Sequence, residues 1–119
     1  MRARILVVDD EPIVRQFIGV ALSGHGYEVL LAASGAEALE KFERNRGSIS
    51  LLLTEWTLPD STGEALAARL RAKQNCLPVI YMTGDCQADT REAVLLKPFT
   101  ACTLLRTIGG HCCEHPRAA

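Results

Sequence analysis

Long apolar runs are missing from this chain: none approaches the roughly 18 residues that a membrane-spanning helix requires. An excess of either charge is missing too. A formal net charge of −1 gives no overall attraction to nucleic acid or to an anionic membrane. The chain opens Met1-Arg2-Ala3-Arg4 and a short apolar run then ends in Asp9-Asp10, acids where a signal peptide would carry small residues, so a cytoplasmic location is expected. No repeat, low-complexity tract or linker divides the 119 residues, which suffice for one domain with a real core and not for two. The five cysteines, Cys76, Cys86, Cys102, Cys112 and Cys113, are odd in number and irregular in spacing, which argues against a disulfide framework. His111-Cys112-Cys113-Glu114-His115 crowds its ligand types into one stretch without a second pair at zinc-site spacing, and reads as a flexible tail over 111–119.

What is present is alternation. Ile5–Val8 is a continuous apolar run fit for a central parallel strand. Asp10-Glu11-Pro12 then reads as a helix start with an acidic N-cap, and Ile13, Phe17, Val20 and Ala21 keep helical spacing up to Gly24-His25-Gly26. A strand over 27–32 leads through Ser34-Gly35 to a helix with Ala38, Leu39 and Phe42 inward, ended by Asn45-Arg46-Gly47. Strands are expected over 49–54, 78–82 and 93–96, and helices over 64–73, with Leu66 and Leu70 four apart, and over 100–108, stopped by Gly109-Gly110. Such alternation predicts right-handed βαβ units and an α/β fold with helices on both faces of a parallel sheet. Only Gly84 to Glu92 separates the last two strands, and a full crossover usually takes about 10–12 residues or more. The helix expected there is shortened or missing.

Polar residues stand at the downstream ends of four apolar runs: Asp9 and Asp10, Glu55, Thr83, and Lys97. In parallel strands these converge at the carboxyl edge of the sheet, where open α/β sheets bind ligands. Three carboxylates, a hydroxyl and a lysine suit a hard cation and a phosphoryl group. Trp56, next to Glu55, is expected as a lid over the crevice, while Phe99 and Tyr81 are expected to pack.

The ordered set Asp-Asp, carboxylate, Thr and Lys-Pro resembles the receiver domain of two-component response regulators. The resemblance extends to Leu58-Pro59-Asp60-Ser61-Thr62-Gly63 and to Lys97-Pro98-Phe99, where receivers carry a cis Lys-Pro bond, and it covers nearly the whole chain. It implies a receiver domain over 1–110 with the flavodoxin-like (CheY-like) fold, five parallel strands in order 2-1-3-4-5. It implies Mg2+ held weakly by Asp9 and Asp10 with Glu55 and the backbone carbonyl of Thr57. It implies that Thr83 and Lys97 contact a phosphoryl group, and that the partner is a histidine kinase or another signalling protein.

Three positions depart from the family's pattern. Glu55 stands where receivers carry the phosphoacceptor aspartate, Val94 replaces the switch aromatic, and the helix before the last strand is nearly deleted. One extra methylene displaces the carboxylate, and misplacement on the order of 1 Å can cost about 10²-fold in a transfer reaction. The sequence therefore reads as an atypical receiver, independent of phosphorylation and acting by protein–protein interaction, not as an enzyme and without direct nucleic-acid or membrane contact. The alternative is a Mg2+-dependent phosphoryl-transfer enzyme of the aspartyl-phosphate type. That reading lacks an aspartate nucleophile, a loop long enough for a cap and a Gly-rich phosphate cradle.

Overall fold

The computed structural model describes residues 3–84 and 90–111. Its elements run β1 (Arg4–Val8), α1 (Pro12–Ser23), β2 (Glu28–Ala32), α2 (Gly35–Arg44), β3 (Leu51–Glu55), α3 (Gly63–Arg71), β4 (Val79–Thr83), β5 (Ala93–Leu96) and α4 (Ala101–His111). The five strands form one parallel sheet in order β2-β1-β3-β4-β5, as expected. Alternate residues of each strand serve opposite faces. Ile5, Val7, Leu51, Leu53, Ile80, Met82 and Leu95 pack with Ile18 and Leu22 of α1 and Leu104 and Ile108 of α4. Leu6, Val8, Leu52, Val79 and Tyr81 pack with Ala38 and Phe42 of α2 and Leu66 and Leu70 of α3.

The registers place the carboxyl ends at one level. Val8 is opposite Thr54, Glu55 opposite Met82, and Thr83 opposite Leu96, so Asp9, Glu55, Thr83 and Lys97 share one edge. Beyond β3 the chain turns tightly through a bridge between Thr57 and Thr62, with Gly63 N donating to Trp56 O at 2.8 Å.

Two local expectations need correction. The acidic N-cap of α1 is Glu11, but its side chain makes no cap; Asp9 Oδ1 accepts from Glu11 N at 2.9 Å instead. Gly109-Gly110 does not stop α4, which continues to His111. Neither glycine has positive φ, and glycine inside a helix costs only about 0.5–1 kcal/mol, too little to break it. By contrast, α1 ends at Gly24 and α2 at Asn45, and positive φ follows two residues on, at Gly26 (90°) and Gly47 (79°). The Ile13, Phe17 and Val20 spacing marks α1 as expected, and that stripe faces outward: Ile13 is 81% and Val20 69% exposed, while Ile18 and Leu22 enter the core.

No helix is described between Thr83 and Ala93, where residues 85–89 lie outside the described set. Arg71, at the end of α3, ties down the start of β5. Its Nε donates to Leu77 O at 3.0 Å, and its guanidinium forks onto the Glu92 carboxylate. Arg71 holds the Glu92 carboxyl below its ordinary range. Both side chains are about one-third exposed, so solvent screens the pair. Arg71→Ala should lower stability by about 1 kcal/mol, read as an earlier urea midpoint, and Glu92→Gln by less.

Candidate functional site

Asp9 is the most tightly determined residue at the carboxyl edge. It is fully buried, its N–H donates to Ala32 O at 3.0 Å, and its carbonyl accepts from Arg15 Nη1 at 2.7 Å. One carboxylate oxygen is taken by Glu11 N, and the other receives Lys97 Nζ at 2.8 Å. Lys97 also reaches Glu55 Oε2 at 2.7 Å and Glu11 Oε1 at 3.0 Å. Its own N–H donates to Thr83 O at 2.9 Å, and the Lys97–Pro98 peptide bond is cis. Thr83 is buried at the end of β4.

The structure thus brings together Asp9, Glu55 and Lys97 on a rim that includes Thr83. Asp10 and Thr57 are exposed. Glu11, which the sequence reading placed only as a helix start, joins the cluster; its separation of 86 residues from Lys97 leaves no local pattern to betray the contact. Asp60 is a second addition. Its carboxylate oxygens accept from Gly35 N and Ala36 N at 2.9 Å each, and these bonds hold its carboxyl below the ordinary range. Asp60 thereby fastens the turn after β3 to the start of α2, where Ser34 Oγ accepts from Glu37 N and Glu37 Oε1 accepts from Ala33 N just before the helix.

Trp56 packs edge-on against Tyr81, ring centroids 4.9 Å apart, and is half-buried on the α2–α3 face. Tyr81 is buried and opposite Val94 in register, so aromatic mass stands on β4 beside the position where β5 carries a valine. Phe99 is half-buried and meets Phe17 across the α1–α4 face at 6.3 Å. Of the cysteines, Cys76 and Cys102 are free and exposed. Cys86 and residues 112–119, including most of the His-Cys tail, lie outside the described residues.

Burial raises the Glu55 carboxyl above its ordinary value, Lys97 opposes this, and Asp9 adds to it. Burial alone would lower Lys97, but contacts with Asp9, Glu55 and Glu11 override it and raise the ammonium well above its ordinary 10.5. Below that ordinary value Lys97 is protonated folded and unfolded, and its ion pairs stabilise fully. As pH rises through it, the unfolded chain loses the proton first, the folded state binds more protons, and stability falls. Wild-type protein should therefore lose more stability than Lys97→Met between about pH 9 and about pH 11.5, measured by urea denaturation.

The donor chemistry at this edge suits a hard cation: the carboxylates of Asp9, Asp10 and Glu55 and the Thr57 carbonyl are oxygen ligands. The arrangement suits it less well. Among the described residues no three acidic, histidine or cysteine side chains stand together as a metal centre, and the converging oxygens of Asp9, Glu11 and Glu55 face Lys97. Mg2+, when bound, would neutralise a phosphoryl group and orient it for transfer.

Residues 5–107 match the response regulator receiver domain family. The chain is 32% identical over 114 residues to Sensor kinase CckA of Brucella abortus, covering 89% of this chain and 12% of that protein. At the same identity it resembles Transcriptional regulatory protein GlrR of Escherichia coli, covering 89% of this chain and 25% of that protein. It thus spans a quarter or less of these two relatives. Among solved structures, the receiver domain of hybrid histidine kinase CckA superposes with a TM-score of 0.80 at 37% identity, covering 89% of this chain and 95% of that one. The response regulator TrrA of Thermotoga maritima, solved with Mg(2+)-BeF, gives 0.78 at 29% identity, covering 89% and 96%. With the sheet order, the four strand-end positions and the cis Lys97–Pro98 bond in place, this chain belongs to the response regulator receiver domain family.

Proposed function

We propose that this receiver domain of a two-component system is an atypical one, whose output is partner binding largely independent of phosphorylation. The observation that carries the reading is the Glu55 carboxylate, at the end of β3, 2.7 Å from Lys97 Nζ; we assign Glu55 to the acceptor position on that placement. A carboxylate one methylene longer than aspartate reaches the lysine that would otherwise contact a phosphoryl oxygen. It brings one negative charge where a phosphoryl group brings nearly two, so the imitation is partial. The partner is a histidine kinase or another signalling protein, in keeping with the company of CckA and GlrR.

Partner contact is assigned to α1, α4 and the loops around the carboxyl edge. Ile13, Phe17 and Val20 support this assignment, since three large apolar side chains at helical spacing on one exposed stripe are a surface that association would cover. Val94 in place of an aromatic supports phosphorylation independence, because a valine has no ring to swing between two positions. Mg2+ is assigned a weak site at Asp9, Asp10, Glu55 and the Thr57 carbonyl. A cytoplasmic setting and a non-enzymatic role belong to the same reading; no helix of the described residues is long and apolar enough to cross a membrane. The test is the intact mass of wild-type protein and of Glu55→Asp after treatment with a small-molecule phosphodonor.

A further inference from the structure

The cation at the carboxyl edge is the chain's own. Lys97 Nζ lies within 3.0 Å of three carboxylates, and only 16% of its side chain is exposed. Asp9 has one oxygen to offer, since the other is held by Glu11 N, and that oxygen faces Lys97. Glu55 Oε2 is ion-paired with the ammonium at 2.7 Å but accepts no aligned hydrogen bond, so it is held by charge alone. A divalent ion coordinated here would compete with Lys97 for the Asp9 oxygen and would stand against a positive charge a few ångströms away. Glu11 differs from the other two. Its side chain is 62% exposed, at the mouth of an open cavity of about 360 Å³ lined also by Val14, Phe17, Pro98 and Phe99.

We propose that Lys97 is a resident counter-cation that excludes divalent ions from Asp9 and Glu55, and that Glu11 is the positioning residue that receives its ammonium when such an ion enters. The proposal rests on the assignment of a weak Mg2+ site above and supplies the reason for the weakness. The extra methylene of Glu55 is part of the device, because it lets the carboxylate reach Lys97 while Lys97 is also held by Asp9. Glu11 lets the ammonium move outward without losing every partner.

Mg2+ titration followed by Trp56 fluorescence and calorimetry, at ionic strength matched with NaCl, tests this. Lys97→Met should bind Mg2+ at least about tenfold more tightly than wild type, equivalent to about 1.4 kcal/mol. Equal or weaker binding by folded Lys97→Met would overturn the proposal. Glu11→Gln should weaken Mg2+ binding when Lys97 is present and have less effect in the Lys97→Met background; equal weakening in both would show that Glu11 contributes only its charge. If Lys97→Met does not fold, the wild-type protein decides. Acetylation of Lys97 by an amine-selective reagent, followed by peptide mass spectrometry, should quicken severalfold at saturating Mg2+, and an unchanged rate up to tens of millimolar Mg2+ would overturn the proposal. Phosphorylation of wild-type Glu55 would sink the silent-acceptor reading and leave this competition standing, so the two failures are distinguishable.

Discussion

Replacing Gly63 by alanine should destabilise the protein by at least about 2–3 kcal/mol, although the substitution adds one methyl group at the first turn of a helix. A Cβ built there overlaps the carbonyl oxygen of Glu55 and comes within 3.2 Å of both Thr54 Cγ2 and Tyr81 Cε1. The first neighbour is backbone in the sheet, held because Trp56 N donates to Met82 O at 2.9 Å, and it cannot turn aside as a side chain would. Relief requires the turn after β3 to lift, against the Asp60 bonds to α2 and the bridge from Thr57 to Thr62. The lift would also move the Glu55 peptide, so Lys97 would lose its contact with the Glu55 carboxylate as stability falls. Gly109→Ala is the control: among the described residues nothing lies within 4 Å of the added Cβ, and removing a helical glycine should gain up to about 0.5–1 kcal/mol. Opposite signs in urea denaturation would confirm that packing beneath Glu55, and not glycine's backbone freedom, sets the requirement at 63.

The strand ends were legible because apolar runs stopping at Asp9, Glu55, Thr83 and Lys97 record a physical boundary, where a buried sheet meets its ligand edge. That no helix is found among the described residues before β5 agrees with a simple length limit. The outward stripe of α1 was not legible. Ile13, Phe17 and Val20 share helical spacing with the inner set Val14, Ile18, Ala21 and Leu22, and periodicity reports that a helix forms without saying which of two apolar faces is buried. Glycine-bearing turns after α1 and α2 reach positive φ at Gly26 and Gly47, while Gly109 and Gly110 sit inside α4, and sequence does not display that difference in φ. Glu11 and Asp60 escaped notice for a common reason. Each acts across the fold, on Lys97 and on the α2 amides, and near its own position resembles an ordinary helix-start or turn acid.

Glu55→Asp should convert a protein that forms no stable acyl phosphate into one that does. The groups that would neutralise charge on a transferring phosphoryl group already stand at one edge: Lys97 lies within reach of Asp9 and Glu11, and Thr83 stands at the adjacent strand end. What differs is the nucleophile, one bond too long, and an error on the order of 1 Å in the attacking atom is enough to suppress transfer about 10²-fold. Shortening the side chain also draws its carboxylate back from Lys97, which weakens the ion pair that we propose stands in for phosphorylation. The gain should depend on Mg2+ and disappear in Glu55→Asp carrying Asp9→Asn. It need not create a switch, because Val94 has no ring to reorient.

Intact-mass spectrometry of wild type and Glu55→Asp after incubation with a small-molecule phosphodonor and Mg2+ tests the central claim most directly. An unmodified wild-type mass beside a single added phosphoryl group on Glu55→Asp, mapped to residue 55, is the predicted result. A phosphoryl group on Glu55 of the wild type, or none on Glu55→Asp, would contradict it.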